Sequence, residues 1–163
     1  MNKRQVKACI KILKTKDMDL RPALQKVLVD DGTMYITNGY VVFEVGDIKD
    51  YMLDKCFTLD TLIKWNATNT KATDIIGCEY AEKNDDIVPQ IKKLIGSDFE
   101  PATNAKFNID YLKLCCDFLG VKNVKLEVSK SNKNLYQVVP CNPDEMDIIT
   151  KAMESKAYIM GVK

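Results

Sequence analysis

Histidine is absent from this chain of 163 residues, and its absence narrows the chemistry open to the protein. Histidine is the commonest general base and the commonest neutral metal ligand, so both roles lose their usual residue. The sequence also lacks a G-x-S-x-G nucleophile motif, a P-loop and a dinucleotide-binding glycine fingerprint. We therefore predict a protein that is not an enzyme, with no catalytic residue, no cofactor and no metal.

Two acidic pairs keep an enzymatic alternative open. Asp30-Asp31 and Asp85-Asp86 carry the oxygen ligands that Mg²⁺ prefers, as in a metal-dependent nuclease. Both pairs lie in predicted turns, where acidic residues are common because they are solvated and support turn geometry. We favour the turn interpretation. A Mg²⁺ nuclease is kept as an alternative that ranks below the two functions given at the end of this section.

Long hydrophobic runs are also missing. No apolar run approaches the ~18 residues of a membrane span, and residues 1–16 lack the apolar centre and cleavage site of a signal peptide. We interpret the six cysteines as reduced thiols, because most lie in apolar periodic segments where free cysteine packs as a small hydrophobe. The sequence thus predicts a cytoplasmic protein with no membrane partner. The cysteines are Cys9, Cys56, Cys78, Cys115, Cys116 and Cys141.

Proline and glycine are scarce, with five and seven residues and no cluster, which excludes a long flexible linker and favours a single domain over residues 1–163. Apolar periodicity and turn residues predict an α+β fold with an antiparallel sheet. The predicted elements are helix 3–16, strands 23–29, 33–37 and 40–45, a helix after Thr58, strand 74–81, helix 88–95, helix 109–119, strands 124–128 and 135–139, and helix 143–158.

Positive charge is concentrated at one end of the chain. The formal net charge is only +1, yet residues 1–16 hold six basic side chains and no acid, which leaves 18 basic against 23 acidic side chains in the remainder. A helix built for its own stability usually interleaves glutamates with its lysines. Because the chain has 22 lysines against two arginines among its 24 basic residues, we expect phosphate contact without base readout. The candidate DNA-contacting residues are Lys3, Arg4, Lys7, Lys11 and Lys14.

Two stretches resemble the bacterial DNA polymerase sliding clamp, the beta subunit. Residues 21–29 (RPALQKVLV) and 37–42 (TNGYVV) are similar to the R-P-x-L-x-x-V strand and the A-T-D-G-[HY]-R-L strand end of a clamp domain. Residues 107–112 (FNIDYL), 124–128 (VKLEV) and 138–140 (VVP) are similar to the second half of the last clamp domain, with its F-N-x-x-Y-L helix and terminal V-V-M-P. The stretches cover roughly half of the chain in the family's order.

The resemblance implies one DNA-clamp-like domain, with segment 66–105 as a candidate insertion and helix 143–158 as an addition to the clamp ending. It also implies a processivity factor with an oligomeric, ring-forming tendency and a pocket for a partner peptide. The family's pocket positions that match here are Thr37, Gly39, Tyr40, Val42, Val139 and Pro140.

From these patterns we expect a non-enzymatic, sliding-clamp-like accessory protein of DNA replication that binds double-stranded DNA irrespective of sequence. A polymerase or another replication protein is the expected protein partner, and a homo-oligomer the expected assembly. The lysine-rich, asparagine-rich composition is typical of an AT-rich coding genome and favours a phage or other mobile element as the source. The alternative is a protein-binding module, an inhibitor or decoy, that does not bind DNA.

Overall fold

The computed structural model describes residues 1–15, 21–46, 56–68, 80–81 and 86–162. Within these ranges the strands form one sheet in the order β5-β4-β1-β2-β3-β9-β8-β7-β6, with every neighbouring pair antiparallel. The strands are β1 (Lys26–Asp30), β2 (Thr33–Thr37), β3 (Val41–Val45), β4 (Cys56–Thr58), β5 (Tyr80–Ala81), β6 (Phe99–Pro101), β7 (Val124–Ser129), β8 (Leu135–Pro140) and β9 (Lys156–Met160). The predicted α+β class with an antiparallel sheet is confirmed.

Helices cover both faces of this sheet. The helices are α1 (Lys3–Leu13), α2 (Leu59–Thr68), α3 (Ile87–Ile95), α4 (Ile109–Leu119) and α5 (Ile148–Ala152), with single 3₁₀ turns at Pro22–Leu24 and Pro143–Glu145. One core lies between the sheet and α1, α2 and α4. A smaller core lies on the opposite face, where Val88, Ile91 and Ile95 of α3 pack against the sheet.

The three predicted strands after α1 form the expected meander. Leu28 pairs with Tyr35 and Ile36 pairs with Phe43, so β1, β2 and β3 are consecutive antiparallel neighbours. Asp31 and Gly32 adopt positive φ in the β1–β2 turn, a conformation that Asp-Gly turn sequences favour in hairpins. The predicted antiparallel order of these strands is confirmed.

The fold contains two copies of one structural unit. In each unit a helix of 11 residues is followed by three antiparallel strands, α1 with β1, β2 and β3, and α4 with β7, β8 and β9. The two meanders join where β3 pairs with β9, and α1 packs against α4. Phe43 of β3 stacks on Phe118 of α4 with ring centroids 4.0 Å apart, so one aromatic pair connects the two units at the centre of the core.

The single C-terminal helix predicted over 143–158 is wrong, because this segment instead contains a 3₁₀ turn, a short helix and strand β9. Pro143 and the acids after it begin a 3₁₀ turn, but α5 is only five residues long. Glu154, at φ 45°, lies in the turn between α5 and β9. β9 follows and lies in the middle of the sheet. Ala157 and Ile159 lie in the larger core, and Tyr158 lies in the smaller core on the opposite face. The strand therefore lacks the apolar–polar alternation that marks a half-buried strand.

Segment 66–105, the candidate insertion, contributes α3 and β6 to the fold. No element is predicted between helices 88–95 and 109–119, whereas Phe99–Pro101 forms an edge strand against β7. Of the predicted strand 74–81, only Tyr80–Ala81 lies within the described residues, where it pairs with β4. The predicted helix 3–16 ends at Leu13, and Lys14 is its C-cap.

Candidate nucleic-acid interface

The first helix buries one side and exposes the other. Gln5, Val6, Ala8, Cys9, Ile12 and Leu13 are buried, whereas all five candidate DNA-contacting residues, Lys3, Arg4, Lys7, Lys11 and Lys14, are exposed. Val6 and Leu13 pack in the core, whereas Ile10 is only half-buried and packs against it. The structure thus puts the basic residues together on the outer surface of the helix layer.

Three of these lysines form a straight stripe. At about 100° per residue, Lys3, Lys7 and Lys14 fall within an arc of about 40° around the helix axis, and they span about 16 Å along it. We call these three residues the lysine stripe. Neither Lys7 nor Lys14 makes an ion pair with any residue that the structure describes. Both side chains are exposed on the outer surface of the helix layer.

Arg4 and Lys11 lie toward α4 and α5, and each forms an ion pair. Arg4 donates to Asp147, with Nη2 and Oδ2 2.6 Å apart, and Lys11 Nζ lies 3.6 Å from Asp117 Oδ2. Partial burial favours the neutral form of Asp147, but the hydrogen bonds from the Thr150 amide and hydroxyl and the positive charge of Arg4 favour the carboxylate more strongly. The pKa of Asp147 is therefore lowered. Arg4 is thereby held by an internal partner.

The start of α1 has charges that oppose helix stability. Asn2 caps the helix by accepting from the Gln5 amide, and the Gln5 side chain completes the capping box. No acid lies in the first turn, where Lys3 and Arg4 stand instead. Positive charge at a helix N-terminus is unfavourable by about 0.3–1 kcal/mol per residue because it faces the positive end of the macrodipole. Helix stability therefore does not account for the basic residues at this end.

Four of the six predicted pocket residues lie in the β2–β3 hairpin, and the other two lie at the end of β8. Thr37 and Val42 pair directly across β2 and β3, and the Thr37 hydroxyl accepts from the Gly39 amide and donates to the Val41 carbonyl. Val139 and Pro140 lie at the end of β8, whose first residue, Leu135, is level with Tyr40 through Met160. Five residues of extended strand, about 17 Å, separate that level from Pro140, whereas Val42 is level with Gln137 through Tyr158, two residues before Val139.

Sequence reasoning missed an aromatic and cationic cluster around Tyr40. The Tyr40 ring stacks on Tyr111 of α4 with centroids 5.9 Å apart and planes 15° apart. The Arg21 guanidinium lies 5.3 Å from the Tyr40 ring centre and donates to the Asn38 carbonyl. We call Arg21, Tyr40 and Tyr111 the stack. All three residues belong to the stretches that resemble the clamp, but residues 40 and 111 meet only through the tertiary fold, so no local pattern could predict their contact.

The other candidate chemistry is not assembled. Among the described residues no group of three or more cysteine, aspartate or glutamate side chains could hold a metal ion. Asp30 instead pairs with Lys92 at 2.7 Å, and Asp85 lies outside the described residues. Cys9 and Cys115 are buried free thiols, and burial raises the pKa of Cys9 to about 12, so this thiol stays protonated at neutral pH.

Comparisons with known proteins return no match, whether with protein-family models, with curated proteins or with solved structures. The resemblance to the sliding clamp therefore remains a prediction from the sequence. In the part of the chain that the structure describes, no helix has both the length and the apolar character to cross a bilayer.

Proposed function

We propose that this protein is a non-enzymatic accessory protein of DNA replication that contacts the backbone of double-stranded DNA through α1, irrespective of base sequence. The observation that supports the proposal best is the lysine stripe, a straight row of exposed charges on a helix that has no acid of its own. Lysine on such a surface neutralises phosphates as a point charge and reads no base edges.

The clamp-like part of the proposal comes from the sequence resemblance. It makes the protein a processivity factor encoded by a phage or other mobile element, active in the cytoplasm beside a polymerase or another replication protein. A single domain must form a homo-oligomer to encircle a duplex. Strand β6 limits how such copies join, because Pro101 has no backbone N–H and blunts pairing along that edge of the sheet.

Duplex binding in a salt series tests the proposal. We expect a Kd of about 10⁻⁴ to 10⁻⁶ M for one chain, as for other non-specific electrostatic binders. The lysine stripe and Lys11 together offer four phosphate contacts, so log K should fall against log salt with a slope of about −3 to −4. Fluorescence anisotropy with labelled duplexes of two unrelated sequences should give the same constants, because no base is read.

Charge reversal on α1 locates the contact. Lys7→Glu/Lys11→Glu should abolish duplex binding without unfolding the chain, since both side chains are exposed. The matched control is Lys93→Glu, an exposed lysine of α3 on the opposite face of the sheet that also has no ion pair within the described ranges. Equal loss in Lys93→Glu, or no binding by the wild type at low salt, contradicts the proposal.

A protein-binding module is the second candidate, and a groove beside α5 favours it. Ile148 and Ile149 are 85% and 50% exposed, and with Met146 and Arg4 they line an open groove of about 790 Å³. Contiguous exposed apolar side chains mark interaction surfaces. If wild type ignores duplex DNA and Ile148→Asp alters only the capture of a replication protein, the protein-binding function takes precedence.

A further inference from the structure

The stack lies at the end of the lysine stripe. Thr15, the residue after Lys14, is joined to the β2–β3 turn by a hydrogen bond of 3.3 Å from Asn38 Nδ2 to its hydroxyl. Asn38 is fully buried, and its Oδ1 also accepts from the amides of Tyr40 and Val41. The turn that carries Tyr40 is thus fixed to the C-terminal end of α1, where the lysine stripe ends.

Local backbone geometry holds Arg21 over this turn. Gly39 has φ +88°, and a Cβ at this position would overlap the Arg21 guanidinium. The guanidinium can therefore approach the backbone closely enough to donate to the Asn38 carbonyl at 3.2 Å while it lies over the Tyr40 ring. Arg21 is exposed and Tyr40 is 38% exposed, so the cluster is accessible from solvent.

A stack of two aromatic rings and a guanidinium, next to a row of cations, matches the chemistry of single-stranded nucleic acid. Proteins that bind single strands combine a positive track for the backbone with aromatic side chains on which bases stack, and a guanidinium plane serves the same purpose. Base stacking is tolerant of sequence because every base has a π face. Duplex DNA cannot use such a surface in the same way, since its bases are already stacked on each other.

We infer that Arg21, Tyr40 and Tyr111 form a platform for an unpaired base of a single-stranded DNA segment whose backbone continues along the lysine stripe. The ligand is then DNA with a single-stranded extension, and the stack selects the junction between duplex and single strand. This inference rests on the proposed function, because it needs the lysine stripe to hold the backbone. It adds a contact to bases that the stripe alone does not provide.

A comparison of blunt and tailed duplexes tests the platform. Three labelled probes of the same sequence are titrated by fluorescence anisotropy: a blunt duplex, that duplex with an oligo-dT tail, and oligo-dT alone. We expect wild type to bind the tailed duplex about tenfold more tightly than the blunt one, the size of effect that one stacked base supplies. Tyr40→Ala should remove this preference and leave blunt-duplex affinity and its salt slope unchanged.

Three further variants separate stacking from folding and from charge. Tyr40→Phe keeps the ring and should keep the preference, whereas Arg21→Gln keeps an exposed polar side chain and should weaken it. Lys93→Glu should change nothing. Because Tyr40 is only partly exposed, thermal melting of each variant checks that the fold is intact, and Arg21→Gln carries the test if Tyr40→Ala does not fold.

The outcomes distinguish this inference from the function on which it rests. Equal binding of blunt and tailed duplexes by wild type, or a preference that survives both Tyr40→Ala and Arg21→Gln, overturns the platform. If blunt-duplex binding then still depends on Lys7, the proposed function stands without it. Binding of none of the three probes overturns both, and leaves the exposed tyrosine to a protein partner.

Discussion

The helices α1 and α4 occupy matching places in the two repeated units but present different surfaces. Each has 11 residues, begins after an asparagine cap and precedes three antiparallel strands. Helix α1 carries four basic residues and no acid, whereas α4 carries Asp110, Lys113 and Asp117. The same packing task is thus met by a strongly basic helix in one unit and by a nearly neutral helix in the other.

This difference separates what the fold requires from what it permits. The buried side of each helix is apolar in both units, with Cys9 and Leu13 in α1 and Cys115 and Phe118 in α4. The exposed side is not dictated by packing, because α4 fulfils the same structural role with mixed charge. The lysine stripe is therefore a property of α1 alone, and it is the feature that a functional explanation must address.

The largest expected effect comes from removing the aromatic contact between the two units. Phe43 and Phe118 are fully buried and stacked, so Phe118→Ala should lower the free energy of unfolding by about 3–5 kcal/mol through lost burial and a cavity. A double-mutant cycle with Phe43→Ala should give a coupling of about 0.5–1.5 kcal/mol, as for other aromatic pairs. Chemical denaturation followed by circular dichroism measures both quantities.

The control for this cycle is Ile12→Ala, which also truncates a fully buried side chain of the helix layer but leaves the aromatic pair intact. We expect wild type and Ile12→Ala each to show one unfolding transition. Additivity of Phe43→Ala and Phe118→Ala, or separate unfolding of the two units in wild type, would show that the aromatic pair does not couple them.

A smaller effect should follow when α4 is made to resemble α1. Asp117→Lys removes an acid beside Lys11 and adds a cation to the same surface, so duplex binding should tighten about three- to tenfold at low salt and the salt slope should steepen by about 1. Anisotropy titration with the blunt duplex measures this. Asp98→Lys is the matched control, because Asp98 also forms a weak, exposed pair, 3.8 Å from Lys130, but lies beside the edge strand β6. Equal tightening in both variants would show that net charge matters and the position of the charge does not.

The sequence predicts elements best where local signals mark both ends. Helix 109–119 is predicted with its observed bounds, because Asn108 caps its start and Gly120, at φ 75°, ends it. Strand β9 was missed because burial on both faces removes its alternation. The edge strand β6 was missed because it has three residues and includes Pro101, a residue disfavoured in strands.

The candidate site depends on contacts that are remote in sequence. The exposure of the basic residues follows from the periodicity of α1, which residues 3–14 contain in full. The pairing of Arg4 with Asp147 spans 143 positions, and Tyr40 meets Tyr111 across the two units. Neither contact has a local signal, so the sequence predicted five equivalent basic residues, whereas the structure pairs Arg4 with Asp147 and Lys11 with Asp117.

The smallest expected effect concerns the ion pair between Arg4 and Asp147. The folded-state pKa of Asp147 is lowered below its usual value of 3.8, so the ionised carboxylate stabilises the fold at higher pH. That contribution is lost as pH falls through the lowered pKa. Asp147→Asn cannot titrate, so its free energy of unfolding should fall less steeply below about pH 4 than that of wild type. At neutral pH the loss should be below about 1 kcal/mol, because asparagine also caps helices and the pair is partly exposed.

The same substitution should release Arg4 to the basic surface of α1 and tighten duplex binding slightly, by less than Asp117→Lys does, because no positive charge is added. Urea denaturation at about five pH values across the range in which carboxylates titrate measures the pH dependence of the free energy of unfolding. Anisotropy titration measures the change in duplex affinity. Asp144→Asn is the control, since its carboxylate is 90% exposed and pairs only with Lys151 among the described residues. If the free energy of unfolding of Asp147→Asn falls at acid pH as steeply as that of wild type, Asp147 does not stabilise the fold through its charge. If its DNA affinity is unchanged, Arg4 lies outside the interface even when it is unpaired.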